Sequence, residues 1–222
     1  MYFLVDNNRK IIFGWSAKCG CSHVKKIFFY LTNVFHETVH LKTSYQQLPK
    51  SINGYKIILI SRNPYERLVS GFLDKYNPKG SFRSKWNSKT LTFNKFVEEL
   101  LKEKWTTIDK HHFTRQTSEA FKPILINNKN IRYFDIKNID YEYIEQLYNK
   151  KLPDSVKYFK GDHSRKTFEN VIEDYVYDLD IKEYYEKSIN YKYFYNPALK
   201  QKVFNFYKKD FEFFHMFEYD KW

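Results

Sequence analysis

Cysteine occurs only twice in 222 residues, at Cys19 and Cys21, and two cysteines one residue apart are too close to form an ordinary unstrained disulfide. A disulfide scaffold is excluded, and a reducing compartment fits best. No run approaches the roughly 18 consecutive apolar residues that span a bilayer, and the opening "MYFLVDNNRK" lacks both the basic leader and the long apolar core of a secretory signal. The expectation is a non-secreted, cytoplasmic chain without a membrane span. Acidic residues are also in deficit, 26 against 38 Lys and Arg, which leaves a net charge of +12. Such a surplus attracts polyanions through its long-range field, whether nucleic acid, phosphorylated cofactors or acidic glycans. Low-complexity linkers and internal repeats are missing too, so a single domain over 1–222 is expected.

What the chain does have is aromatic mass, with 21 Phe, 20 Tyr and 4 Trp, far more than a disordered chain carries. "YFLV" and "RKIIFG", separated by "DNN", predict a hairpin from Tyr2 to Gly14. After the turn "WSAKCG", Val24, Ile27, Phe28, Leu31 and Phe35 recur at helical spacing and predict an amphipathic helix from Ser22 to about Phe35. "YKIILISRN" reads as a strand buried on both faces of a parallel sheet. Pro64 then suits the first position of a helix carrying Leu68, Val69, Phe72 and Leu73 on one side. Two strand, loop, helix units in succession predict an α/β fold with a central parallel sheet flanked by helices and ligands at the strands' carboxyl ends. Further along, 77–90 is a polar, basic loop and "TFNKFVEELLKEKW" a helix capped by Thr92. "NIRYFDI" predicts a strand, "YEYIEQLYNKK" a helix, and 152–166 a loop. A last helix starts from Asn196 and Pro197, with Leu199, Val203, Phe206 and Phe211 as its core stripe.

The loop "SAKCGCSH" between a strand and a helix N-terminus collects backbone N–H groups beside the positive end of a helix dipole, the ingredients of a phosphate or sulfate cradle. Gly20 admits close backbone approach, Ser22 can cap the helix or donate its hydroxyl, and Lys18 brings a mobile point charge. A plain helix entry with a solvated lysine competes with this reading. A Walker A loop places its lysine after the last glycine; here Lys18 precedes Gly20. Zinc ligation by Cys19, Cys21 and His23 lacks a second cysteine pair, and C-x-C is not the usual redox spacing. No metal is expected.

"AKCGCSHVK" resembles the 5′-phosphosulfate loop of sulfotransferases that use 3′-phosphoadenosine 5′-phosphosulfate (PAPS), in the carbohydrate branch related to the chondroitin and dermatan enzymes. Lys18, Cys21 and Lys25 match, Ser22 stands for Thr, and Ala17 replaces the usual proline. "SRNPYERLVSGFLDKY" (61–76) is similar, almost position by position, to the same family's 3′-phosphate motif. "DKHHFTRQTSE" (109–119) aligns His112, Phe113 and Gln116 with the family's histidine segment, with Arg115 for its proline, and "YKKDFEFFHMFEYD" resembles its closing helix. The resemblance implies a fold related to P-loop nucleotide kinases and transfer of a sulfuryl group from PAPS to an acceptor hydroxyl, releasing PAP, without a metal. Lys18 is implied as a catalytic cation. Backbone N–H groups of Cys19, Gly20, Cys21, Ser22 and His23 are implied as the phosphosulfate cradle, Arg62 and Ser70 as ligands of the 3′-phosphate, and Arg165 as a basic residue over the cofactor. His112 is the candidate general base, suited to accept an alcohol proton near neutral pH, with His111 or an acidic residue as alternatives. His111 and Gln116 are candidate acceptor contacts. Glu66, Arg67, Asp74 and Lys75 read as structural.

The implied acceptor is a glycan, with a tyrosyl-protein, a lipid or a small molecule as alternatives. Secretory-pathway members of the family carry a membrane anchor and lumenal cysteines; this sequence has neither, which fits a cytoplasmic enzyme of bacterial or viral origin. A P-loop kinase would share the loop but needs its lysine after the glycines and an acidic Mg²⁺ ligand. A basic nucleic-acid binder would account for the charge and leave 61–76 unexplained, so no nucleic-acid partner is expected.

Overall fold

The computed structural model describes residues 1–34, 47–86, 89–117, 129–159 and 168–216. By its internal contacts the chain divides into two compact units, one of residues 1–62 and 116–164, the other of residues 63–115 and 165–222.

The first unit is built on a four-stranded sheet of order β1-β2-β3-β4, with β1 Tyr2–Asp6, β2 Ile11–Trp15, β3 Lys56–Ser61 and β4 Ile131–Asp135. The expected hairpin forms: β1 and β2 pair antiparallel, Leu4 opposite Phe13. Its turn is held by the Asp6 carboxylate, which accepts from the N–H groups of Asn8 and Arg9 at 3.0 and 3.1 Å, as an Asp at a turn does. β2 with β3 and β3 with β4 are parallel, so the loops leaving β2 and β3 emerge side by side at the carboxyl end of the sheet. The apolar run of β3 is buried on both faces, Ile57, Ile58, Leu59 and Ile60 each at 1% exposure or less.

Helix α1, Cys21–Thr32, lays Val24, Ile27, Phe28 and Leu31 into a core shared with Phe13, Ile58 and Ile60. It stops earlier than the apolar spacing predicts, because Asn33 turns left-handed (φ 58°) and caps it; Phe35 lies outside the described residues. Helix α5, Tyr141–Tyr148, adds Ile144 and Tyr148 to that core, and the short helix α6, Asp154–Lys157, adds Val156. α6 corrects the expectation of loop at 152–159; four residues starting after Pro153 are too few to show a period.

The second unit holds helices α2, Pro64–Lys75, α3, Phe93–Leu101, α4, Lys110–Phe113, and α7, Pro197–Phe213. The helix starts follow the sequence: Asn63, Thr92 and Asn196 each accept a backbone N–H with their side chains. The aromatics form the interior, with Phe72, Tyr76, Phe93, Phe96 and Phe113 in mutual ring contact. In the basic loop after α2 a 3₁₀ turn forms at Arg83–Lys85. A two-stranded parallel ladder of β5, Val171–Ile172, and β6, Ser188–Ile189, has no signal in the sequence, since two residues carry no alternation. Among the described residues no helix is long and apolar enough to cross a membrane.

Candidate active site

In the first unit the chain leaves β2 through Ser16 and Ala17 and reaches α1 through two residues with positive φ, Lys18 at 67° and Gly20 at 72°. For lysine the left-handed region costs on the order of 1–2 kcal/mol, so the loop holds Lys18 in a conformation the surrounding contacts must impose. Gly20 cannot be replaced without displacement, because a Cβ there would lie 2.3 Å from Ile136 Cδ1. Gly20 is also the N-cap of α1, with no side-chain cap and no acidic residue in the first turn. This corrects the capping role expected of Ser22, which lies inside the helix. The first intrahelical bond is Val24 N–H to Gly20 O, 2.9 Å, so the turn ahead of it directs its N–H groups outward with the positive dipole end.

Cys19 departs from its expected part. Its N–H donates to Ser16 O at 3.1 Å, which withdraws it from the anion cradle, and its side chain is wholly buried with Sγ donating to Gln116 Oε1 at 2.9 Å. The His23 ring is likewise engaged. It stacks on Tyr141, and its Nε2 lies 3.3 Å from a Tyr141 hydroxyl whose own proton goes to Lys157 O. Burial lowers the His23 pKa. Its ring is a prop for the helix, and its backbone is what the cradle can use.

Arg62 follows β3 directly and is half-buried. Its Nη1 donates to Lys18 O at 3.3 Å, so the two loops predicted to bind phosphates touch through their cationic residues. Gln116, expected to contact the acceptor, is fully buried instead. Its Nε2 donates to Arg62 O at 2.9 Å while its Oε1 accepts from Arg62 N–H at 3.0 Å.

In the second unit, His112 sits on α4, whose N-cap is Asp109. One Asp109 oxygen accepts from His111 N–H at 3.1 Å, and the other is in a short hydrogen bond with His112 Nδ1. Burial works to raise the Asp109 pKa, but the hydrogen bond and charge of His112, together with His111, outweigh it and hold the carboxyl below its ordinary value. An ionised Asp109 fixes the proton of His112 on Nδ1 and leaves Nε2 as the lone-pair nitrogen, the requirement for a general base. The segment is braced from three sides: Arg67 Nη2 donates to His112 O at 2.9 Å, Tyr207 hydroxyl to Phe113 O at 2.6 Å, and Tyr76 hydroxyl accepts from Asp109 N–H at 3.0 Å. Arg67, read as structural, is 2% exposed and acts as this brace. His111 has its pKa lowered by burial first and by the neighbouring His112 charge second. Ser70 is half-buried on α2. Arg165 lies outside the described residues.

Asp109 was the residue sequence reading missed. Its signal was its place as an N-cap three residues before a histidine, which puts carboxylate and imidazole on one face of a single turn.

A mostly parallel sheet that delivers a lysine and a glycine to a helix N-terminus has the ingredients of an anion-binding loop. The chain belongs to the Sulfotransferase family, whose family model matches residues 1–220. Human carbohydrate sulfotransferase 9 is 26% identical over 241 residues, covering 91% of this chain and 52% of its own length. Mouse and human carbohydrate sulfotransferase 8 are each 27% identical over 93 residues, 35% of this chain and 22% of theirs. The chain thus spans about half the length of the human carbohydrate sulfotransferase 9 that it matches. No solved structure matches significantly.

Proposed function

We propose that the protein transfers a sulfuryl group from PAPS to a hydroxyl of a carbohydrate, with residues 1–222 acting as one catalytic domain. The observation that carries the reading is the meeting of the two anion loops at the carboxyl end of β2 and β3, where Arg62 reaches the Lys18 carbonyl. The donor set suits PAPS chemically: a helix start without an acidic residue, a lysine ahead of it, and a guanidinium whose fork matches phosphate oxygens. Lys18 and the N–H groups of Gly20 to His23 would hold the phosphosulfate; Arg62, with Ser70, would hold the 3′-phosphate. When bound, PAPS supplies the activated sulfuryl group.

The bond from sulfur to the acceptor oxygen forms as the bond from sulfur to the 5′-phosphate oxygen breaks, the acceptor proton passing to His112 Nε2. Lys18 offsets the negative charge that develops on the departing phosphate, and no metal is needed for that balance. The carbohydrate acceptor is favoured by the names of the relatives and by the charge of +12. Cys19 and Cys21, present as thiols and not joined in a disulfide, favour a reducing, cytoplasmic setting.

The test is transfer of label from PAPS to a panel of glycans by purified wild type, Lys18→Ala and Arg62→Ala. The expected outcome is transfer by the wild type, with losses of about 10²-fold or more in the Lys18 variant and a raised KM for PAPS in the Arg62 variant. Undiminished transfer by both variants would overturn the assignment.

A further inference from the structure

We infer that Gln116 is a positioning residue of the donor site, a single buried amide that sets the two anion loops against each other. The inference rests on the PAPS reading and assigns to its donor side a residue that the sequence put on the acceptor side. Four hydrogen bonds carry it. Gln116 Oε1 accepts from both Cys19 Sγ–H and Arg62 N–H, at 2.9 and 3.0 Å; Gln116 Nε2 donates to Arg62 O at 2.9 Å; and Gln116 O accepts from Ser16 Oγ–H at 3.0 Å. One residue therefore grips the phosphosulfate loop at two points, Ser16 and Cys19. Its amide also brackets the backbone of Arg62 as a neighbouring strand would.

The two-point bond to Arg62 fixes the direction in which the guanidinium leaves the chain. The bond to Cys19 fixes the residue between the two left-handed positions, Lys18 and Gly20. A planar amide with one acceptor and one donor edge is the group this arrangement needs. A carboxylate would lose the bond to Arg62 O and add negative charge beside both anion loops. The chain leaves the first unit after Arg62 and re-enters it at Gln116, so the amide joins the exit residue to the entry residue.

Calorimetry with three nucleotides separates this role from a general loss of fold. PAP carries both phosphates, adenosine 5′-phosphate only the one held by the α1 loop, and adenosine 3′-phosphate only the one held by Arg62. In the wild type each added phosphate tightens binding; Lys18→Ala is expected to lose the 5′ increment alone and Arg62→Ala the 3′ increment alone. Gln116→Ala is expected to lose much of both, raising the PAP Kd by roughly tenfold or more, with a thermal melt that remains cooperative. Gln116→Glu, which keeps the acceptor oxygen, carries the test if the alanine variant fails to fold, and should weaken PAP in the same way. Wild-type PAP affinity in both variants, or loss of one increment only, would overturn the role of Gln116. Absence of PAP binding by the wild type would instead overturn the donor reading beneath it.

Discussion

At the scale of single residues, the pair of Asp109 and His112 has the most specific consequence. His112 reads as the candidate base from its chemistry and from its place in "DKHHFTRQ", but what distinguishes it from His111 is visible only in three dimensions. Asp109 bonds the His112 ring and accepts from the backbone N–H of His111. Asp109→Asn should therefore lower kcat by about 10-fold to 10²-fold, short of the about 10²–10⁴-fold expected for removing a general base outright in His112→Ala. Neither variant should change the KM for PAPS, because neither residue belongs to the donor loops. Steady-state kinetics with the acceptor saturating checks the split; a raised KM for PAPS with kcat intact would move His112 to a binding role. Cys19 and Gln116 show the opposite limit of sequence reading. Both lie in motifs that resemble the family's, and the resemblance attaches them to a site without saying whether a backbone, a side chain or a buried hydrogen bond is what they contribute.

At the scale of elements, the helix starts were legible because capping is local: Thr92 and Asn196 cap where the sequence places them, and Pro64 opens α2 as expected, with Asn63 as the cap that the structure adds. Elements secured by tertiary ion pairs were not. Helix α6 is tied to α5 by one carboxylate: Glu145, 4% exposed, accepts from Lys157, Lys151 and the Leu152 N–H at 2.7, 2.9 and 2.8 Å. Nothing in "YEYIEQLYNKKLPDSVK" identifies Glu145 as the hub, since Glu142 and Asp154 in the same stretch could play that part by charge alone. The bond from Lys157 is the main cause, with the Leu152 N–H and Lys151 behind it, that pushes the Glu145 pKa down to about 2. A depressed folded pKa contributes stability that is fully present above the unfolded value of about 4.3 and is lost as pH falls through the folded value. Glu145→Gln should accordingly lower the melting temperature at pH 7, with the gap to wild type closing as pH falls from about 4.5 towards 2. Parallel melts across that range check it, and a gap that stays constant with pH would show that packing, not charge, is what the substitution removes.

At the scale of the whole molecule, the alternation of strand and helix and the apolar run of β3 make the parallel sheet legible, while the division of the chain into two compact units is not. That division follows from contacts between residues as distant in sequence as Phe93 and Tyr195, and no linker or change of composition marks residues 62 or 116. The two phosphate motifs were legible for a physical reason: each is a short strand, loop, helix unit whose function depends on backbone direction and a few fixed side chains. The proposed acceptor contacts have no such compact unit, so the sequence marks them less sharply than the two loops. The central claim, that the lysine ahead of Gly20 and the arginine after β3 together hold a 3′-phosphorylated adenosine nucleotide, is tested most directly by titration calorimetry of the wild-type chain with PAP and, separately, with ATP and Mg²⁺. PAP is expected to bind without metal, and more tightly than ATP with Mg²⁺. Tight binding of ATP with Mg²⁺ and none of PAP would contradict it.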